Sequence, residues 1–247
     1  MKAVFLGVGE AFDENYPTAS ILVESKTKLL LDCGYSSPPQ IWKYNPNPNF
    51  PDAVYLTHSH ADHYFGLPSL ITRMFVDKRK KPLTIICQAK DLSQLKKVFE
   101  YGYKTILSRL PFKLNFLPIK PTDKISFNEL NLSFAPTLHA IPNLAIKVDN
   151  GRKNLCYSGD GEITPKTKQL FANTDLLIHE TYLFDKHFPK HSSIKEVINM
   201  AKANNINQVA LFHLRRDVRQ KLPQIKSKLK KQQLKINFPS PGDIISI

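Results

Sequence analysis

The chain has 247 residues, 42% hydrophobic and 23% charged, an ordinary globular balance with ample length for a sizeable core. Thirty-five Lys and Arg against 21 Asp and Glu give a net charge of +14, which attracts polyanions, nucleic acid first among them, without fixing the fold; a Lys-, Asn- and Ile-rich composition is a second source of that excess. No apolar run approaches the roughly 18 residues of a membrane helix, so a membrane role is excluded from the reading.

The first segment, "MKAVFLGVGEAF", reads as a strand and turn rather than a signal peptide, because Glu10, Asp13 and Glu14 follow closely and no small-residue cleavage site is present. "SILVES", "KLLLDCG" and "DAVYLT" are three further strands, and the "YNPNPNFP" linker is too rich in Pro and Asn to be regular. "GLPSLITRMF" has helical spacing, "PLTIIC" is a strand and "KDLSQLKKVFEYGY" an amphipathic helix. The strands "FKLNFLPI", "KISFNELNLSFAPT", "LAIKVDN" and "KNLCYSGD" follow, with "DNGRK" as a hairpin turn suited to positive φ. Alternation then sets in: helix "KTKQLFA", strand "TDLLIHE", helix "SIKEVINMAKANN" and strand "NQVALFHL". The tail "RDVRQKLPQIKSKLKKQQLK" is helical with a proline interruption, and "DIISI" an edge strand. Strands first and mixed elements after, in two successive halves, predict an α/β chain of two sheets packed face to face with helices outside, as one domain over 1–247. The three cysteines, Cys33, Cys87 and Cys156, are far apart, form no CxxC pair and sit in or beside apolar segments; they read as buried, reduced thiols of a cytoplasmic protein.

The chemistry is concentrated in "HSHADH". Here His58, His60, Asp62 and His63 crowd the end of an apolar strand. Histidines two apart on a loop point to one centre, and the adjacent Asp62 and His63 to a second; neutral imidazole and carboxylate suit zinc and related divalent ions. One loop cannot complete two metal positions, and His139, Asp160 and His213 each follow an apolar run where a sheet-edge loop would present them. His179, ending "TDLLIH", reads as a packed residue, and His187 as part of a loop near the mouth of the site.

With these motifs in place the chain resembles the metallo-β-lactamase-fold hydrolases, and among them the ribonuclease Z-like branch. "FLGVGEAF" resembles the branch's first glycine turn, "LLLDCG" its acidic strand, "THSHADHYFGLPSLI" and "KPLTII" its metal loop and next strand. "YSGDG" matches its fourth ligand motif, "HETY" its HEAT motif and "HSS" its HST motif. The resemblance implies an αββα four-layer sandwich and two divalent ions, zinc by preference, with manganese or iron also suited to these ligands. One ion would sit on His58, His60 and His139, the other on Asp62, His63 and His213, with Asp160 bridging. Asp32 and Glu180 would orient histidines, His191 would give the leaving oxygen its proton, and Asp62 would orient the attacking water. The competing reading of Glu180 and His191 is a capping and salt-bridge role at the start of "SSIKEV", with Ser192 capping that helix.

Two departures bear on substrate. The branch's long tRNA-gripping arm is absent, since His139 to Asp160 is spanned by little more than one hairpin, and "HLRRD" replaces the serine-and-tyrosine pattern after the last ligand. Arg215 and Arg216, next to His213, are candidate phosphate binders. The expected function is a dinuclear-metal phosphodiesterase of ribonuclease Z-like type with RNA as substrate, in a branch where a homodimer is common. The alternatives are a small-molecule phosphodiesterase for cyclic nucleotides or cyclic phosphates, a thioesterase or lactonase on the same fold, and a non-catalytic binding protein; the complete ligand set argues against the last.

Overall fold

The computed structural model describes residues 1–247. The chain forms two compact units, Lys2–Lys120 with Ser240–Ser246, and Pro121–Pro239.

The first unit contains β1 (Lys2–Gly7), β2 (Ser20–Glu24), β3 (Lys28–Leu31), α1 (Pro38–Tyr44), β4 (Ala53–Tyr55), α2 (Ala61–Tyr64), α3 (Leu67–Val76), β5 (Leu83–Gln88), α4 (Leu92–Gly102), α5 (Ile106–Arg109) and β6 (Leu114–Ile119). The second contains β7 (Lys124–Phe127), β8 (Leu130–Pro136), β9 (Leu144–Asp149), β10 (Asn154–Tyr157), α6 (Pro165–Phe171), β11 (Leu176–Glu180), α7 (Ile194–Ala203), β12 (Gln208–Phe212), α8 (Arg216–Gln220), α9 (Leu222–Leu229) and β13 (Lys235–Asn237). The last strand, β14 (Ile244–Ser246), belongs to the first unit.

The first sheet runs β14-β1-β2-β3-β4-β5-β6, antiparallel from β14 to β3 and parallel from β3 to β6. Its inner strands carry unbroken apolar runs such as Leu29–Leu31 and Ala53–Tyr55, buried throughout, as parallel strands covered on both faces require. One face forms a core with the helices. Leu67, Leu70, Ile71 and Met74, at the i, i+3, i+4, i+7 positions of α3, meet Val54, Leu83, Ile85 and residues Leu95 and Phe99 of α4.

The proline- and asparagine-rich linker is irregular, as expected, and Arg79 organises it. Its guanidinium is fully buried without a carboxylate in reach of its hydrogen bonds. It donates instead to the carbonyls of Pro48 (2.9 Å), Pro51 (2.8 Å), Lys81 (2.8 Å) and Pro82 (2.9 Å). A planar fork of five donors suits carbonyls that come from separate turns.

The second sheet runs β13-β12-β11-β10-β9-β8-β7, parallel from β13 to β10 and antiparallel from β10 to β7. Cys156, Leu177, Val209 and Leu211 form its helix-facing core with Phe171 of α6, with Ile194, Val197, Ile198 and Ala201 of α7, and with Val218 and Ile225 of α8 and α9. The tail helix breaks at Lys221, with Pro223 in the first turn of α9, where a missing N–H costs nothing. Ser192 does not cap α7. Ser193 does: its Oγ accepts from Glu196 N at 3.3 Å while Glu196 Oε2 accepts from Ser193 N at 2.7 Å, a closed capping box.

Candidate metal centre

Functional side chains in both units sit at the carboxyl ends of parallel strands, where α/β sheets present their ligands. Asp32 follows β3 directly, Thr57 and His58 follow β4, Asp160 follows β10, Glu180 ends β11 and His213 follows β12. Asp32 (φ 59°) and His213 (φ 57°) both occupy the left-handed region, which is uncommon for residues other than glycine. Each marks the point where the chain turns after its strand.

In the first unit, the exit from β4 is extended at His60 and then becomes helix α2. His58 and His60 therefore lie on a loop, and Asp62 and His63 on a first helical turn. His58 Nε2 and His60 Nδ1 lie 3.1 Å apart, and His63 Nε2 lies 3.4 Å from Asp62 Oδ2. Two nitrogens held at about 2.0–2.1 Å by one tetrahedral ion are about 3.3 Å apart, so both pairs have the spacing of ligands converging on an ion.

The opposite ring nitrogens are tied back. His63 Nδ1 is 2.7 Å from Asp32 Oδ2, both side chains fully buried. Thr57 Oγ1 is 2.9 Å from Asp32 Oδ2 and 2.9 Å from His58 Nδ1, and Thr57 N donates to Asp32 Oδ1 at 2.9 Å. With the hydroxyl donating to the carboxylate, it accepts from His58 Nδ1–H, and both histidines then offer Nε2 outward. Gly34 makes this packing feasible, since a Cβ there would stand 2.1 Å from Asp62 O.

In the second unit, Asp160 Oδ2 lies 3.5 Å from His213 Nε2 and 4.0 Å from His139 Nε2, which places one carboxylate oxygen beside both imidazoles. His139 Nδ1–H donates to Lys190 O at 3.0 Å. Asn143, fully buried, ties the two ligand loops together: its Nδ2 donates to Thr137 Oγ1 and Ser158 O, both at 2.8 Å, and its Oδ1 accepts from Asp160 N at 3.2 Å. Gly161, at φ 118°, allows this close approach, since a Cβ would lie 2.5 Å from Thr137 Oγ1.

Glu180 is fully buried. Its Oε1 accepts from Gly161 N and Ser192 N, both at 3.0 Å, and lies 3.4 Å from His191 Nδ1. The ligand atoms of Glu180, His191 and His213 form one group. Burial alone would lower the His191 pKa, but the Glu180 carboxylate and the charge of Asp160 outweigh it, so the net shift is upward. Tyr182 stacks on the His191 ring at 4.9 Å, and His191 lies parallel to His213 at 6.2 Å.

Arg215 forms a two-pronged pair with Asp217, Nε to Oδ1 at 2.5 Å and Nη2 to Oδ2 at 2.8 Å, so its guanidinium fork faces a carboxylate of its own chain. Arg216 is exposed at the start of α8. His179 is fully buried against Phe171 and donates from Nδ1 to Glu180 O at 2.7 Å, and His187 is exposed. Sequence reading missed Thr57, Asn143 and Tyr182. Thr57 opens "THSHADH" and Tyr182 ends "HETY", but nothing in their types or spacing signals a positioning role.

The donor chemistry and spacings thus fit divalent metal in each half. Comparison with known proteins gives the wider setting. The chain is 27% identical to the Ribonuclease Z of Methanococcus maripaludis over 276 aligned positions, covering 87% of this chain and 88% of the relative. Among solved structures, the metallo-β-lactamase fold protein YhfI from Bacillus subtilis superposes with a TM-score of 0.84 at 23% identity, over 99% of this chain and 98% of that one. Human tRNase Z, short form, gives 0.78 at 21% identity, over 100% and 99%. The α/β class expected from the sequence is therefore observed: the chain has the metallo-β-lactamase fold, is ribonuclease Z-like, and is a metal-dependent hydrolase. The family model described as anti-Pycsar protein Apyc1 matches residues 1–234, and the chain belongs to that family.

Proposed function

We propose that the protein is a two-metal phosphodiesterase whose substrate is a small cyclic phosphodiester, such as a cyclic nucleotide. In this reading His58, His60 and His139 hold one ion, Asp62, His63 and His213 the other, and Asp160 contributes to both; zinc is the ion that a His-rich set of this kind suits best. The observation that carries the metal assignment is the tied-back histidine: Asp32, Thr57 and the Lys190 carbonyl hold the Nδ1 atoms of His63, His58 and His139, the arrangement by which proteins orient metal-binding imidazoles.

When bound, such ions supply a water that ionises near neutral pH and offset charge on the phosphoryl oxygens. Asp62 orients the attacking water. His191, held by Glu180, gives its proton to the leaving oxygen. Tyr182, stacked against it, keeps the ring in plane.

The short span between His139 and Asp160, filled by β9 and β10, supports a small substrate over a folded RNA. An alignment of 276 positions against a chain of 247 residues also means that the Methanococcus relative has segments this chain lacks, and the family description names an anti-Pycsar protein rather than a ribonuclease. RNA is the second reading, favoured by relatives named Ribonuclease Z and by the basic charge. Arg216, exposed beside His213, meets the substrate phosphate in this reading, and Arg215 pairs with Asp217. Three buried thiols without a disulfide support a cytoplasmic setting, and no helix is long and apolar enough to cross a membrane.

The test is a substrate panel with metal-loaded protein: 2′,3′- and 3′,5′-cyclic nucleotides, a short RNA, a pre-tRNA, bis(p-nitrophenyl) phosphate, a thioester and a lactone, each with a His60→Ala control. The expected result is turnover of a cyclic nucleotide that His60→Ala abolishes. Cleavage of pre-tRNA alone would restore the ribonuclease reading, and turnover of only the thioester or lactone would refute both.

A further inference from the structure

The turn that carries His191 also carries an aromatic ring in fixed register with it. Phe188 and His191 form a bridge, with His191 N donating to Phe188 O at 3.1 Å. Lys190, between them, adopts φ 70°; its N donates to Glu162 Oε1 at 2.7 Å and its carbonyl accepts from His139 Nδ1 at 3.0 Å. The backbone of the turn is thus anchored on both a carboxylate and a candidate metal ligand.

Phe188 lies 4.8 Å from the Tyr182 ring and 5.8 Å from that of His191, and 39% of its surface is exposed. Tyr182, His191 and His213 continue the series of neighbouring rings. Scattered single apolar residues are ordinary on a protein surface; this one is backed by a second ring and locked to the proton donor. Lys186, His187 and Lys190, all exposed, bracket it in sequence. One flat ring is too small for a protein partner's apolar patch, whereas a flat π-face with Lys186 and Lys190 within two residues of it in sequence matches a nucleotide, with a base to stack and a phosphate to attract.

We infer that Phe188 is the stacking platform for the substrate's nucleobase, and so determines preference for nucleotide over base-free phosphodiesters. The inference rests on the phosphodiesterase reading and deepens it. Its test compares, on the full metal-loaded chain, kcat/KM for a 3′,5′-cyclic nucleotide with that for the base-free ribose 3′,5′-cyclic phosphate. Substitution F188L keeps apolar bulk without a flat face and F188W keeps the face. Base stacking lost on substitution corresponds to a ~5- to 150-fold change; F188L lowers the nucleotide-to-base-free ratio by about that factor through KM, and F188W returns the ratio towards wild type. Because it is a ratio, a general loss of folded protein cancels. An unchanged ratio in F188L, or a loss in F188W equal to that in F188L, would overturn the platform. Absence of turnover of both substrates by the wild type would instead refute the phosphodiesterase reading on which it stands.

Discussion

Thr57 supplies no metal-binding atom in the proposed site, yet its hydroxyl stands 2.9 Å from both Asp32 Oδ2 and His58 Nδ1. One buried carboxylate therefore sets the orientation of two histidines, His63 directly and His58 through Thr57. Groups of this kind are commonly worth ~10- to 100-fold in metal affinity, so Thr57→Val should weaken zinc binding by about that factor while Thr57→Ser stays near wild type, as read by competition with a chromogenic chelator. Equal affinity in all three would show that Asp32 alone positions the loop. At this scale the sequence is informative where chemistry is local. "HSHADH" announces itself because four ligand-type residues fall within six positions. Asn143 and Lys190 do not, because their work is done on residues that only the folded chain brings near them.

At the scale of elements, strands were legible from their apolar runs, and the long helices from their spacing. What escaped was short: α1 has seven residues opened by a proline pair, and β13 has three in a lysine-rich tail, added in parallel to β12. Neither is long enough for a period to show. The cap of α7 was misplaced by one residue because "HSS" offers two serines, and only the capping box with Glu196 selects Ser193. Ser193→Ala should destabilise the protein by about 1 kcal/mol, or ~2–4 °C in Tm for a chain of this size, with Ser192→Ala acting instead through its Oγ bond to the Gly161 carbonyl, the Ser192 N–H bond to Glu180 being kept.

The strands also explain the thiols. Cys33 follows β3, Cys87 lies in β5 and Cys156 in β10. Burial pushes their pKa values up to about 12, about 11 and about 12 respectively. A thiol whose pKa is raised stays neutral below it, and the thiolate is the nucleophile. At pH 8 iodoacetamide should therefore leave the native protein unlabelled and modify all three cysteines once it is denatured, as counted by mass spectrometry. Rapid native labelling would place one of these strands nearer to solvent than described.

At the scale of the molecule, each unit delivers carboxylates and imidazoles from the carboxyl ends of its parallel strands. The recurrence was legible in the sequence, because ligand-type residues follow successive apolar runs, first in "HSHADH" and then at His139, Asp160 and His213. The substrate was the least legible property. Net charge pointed to RNA, whereas the missing arm points to something smaller, and charge is a weak guide because it speaks to association alone.

The central claim, a two-metal phosphodiesterase, is tested most directly by metal titration. Protein stripped with a chelator should be inactive on a cyclic nucleotide, and zinc added back should restore full turnover at two equivalents per chain. Full activity in the stripped protein, or saturation at one equivalent, would contradict it.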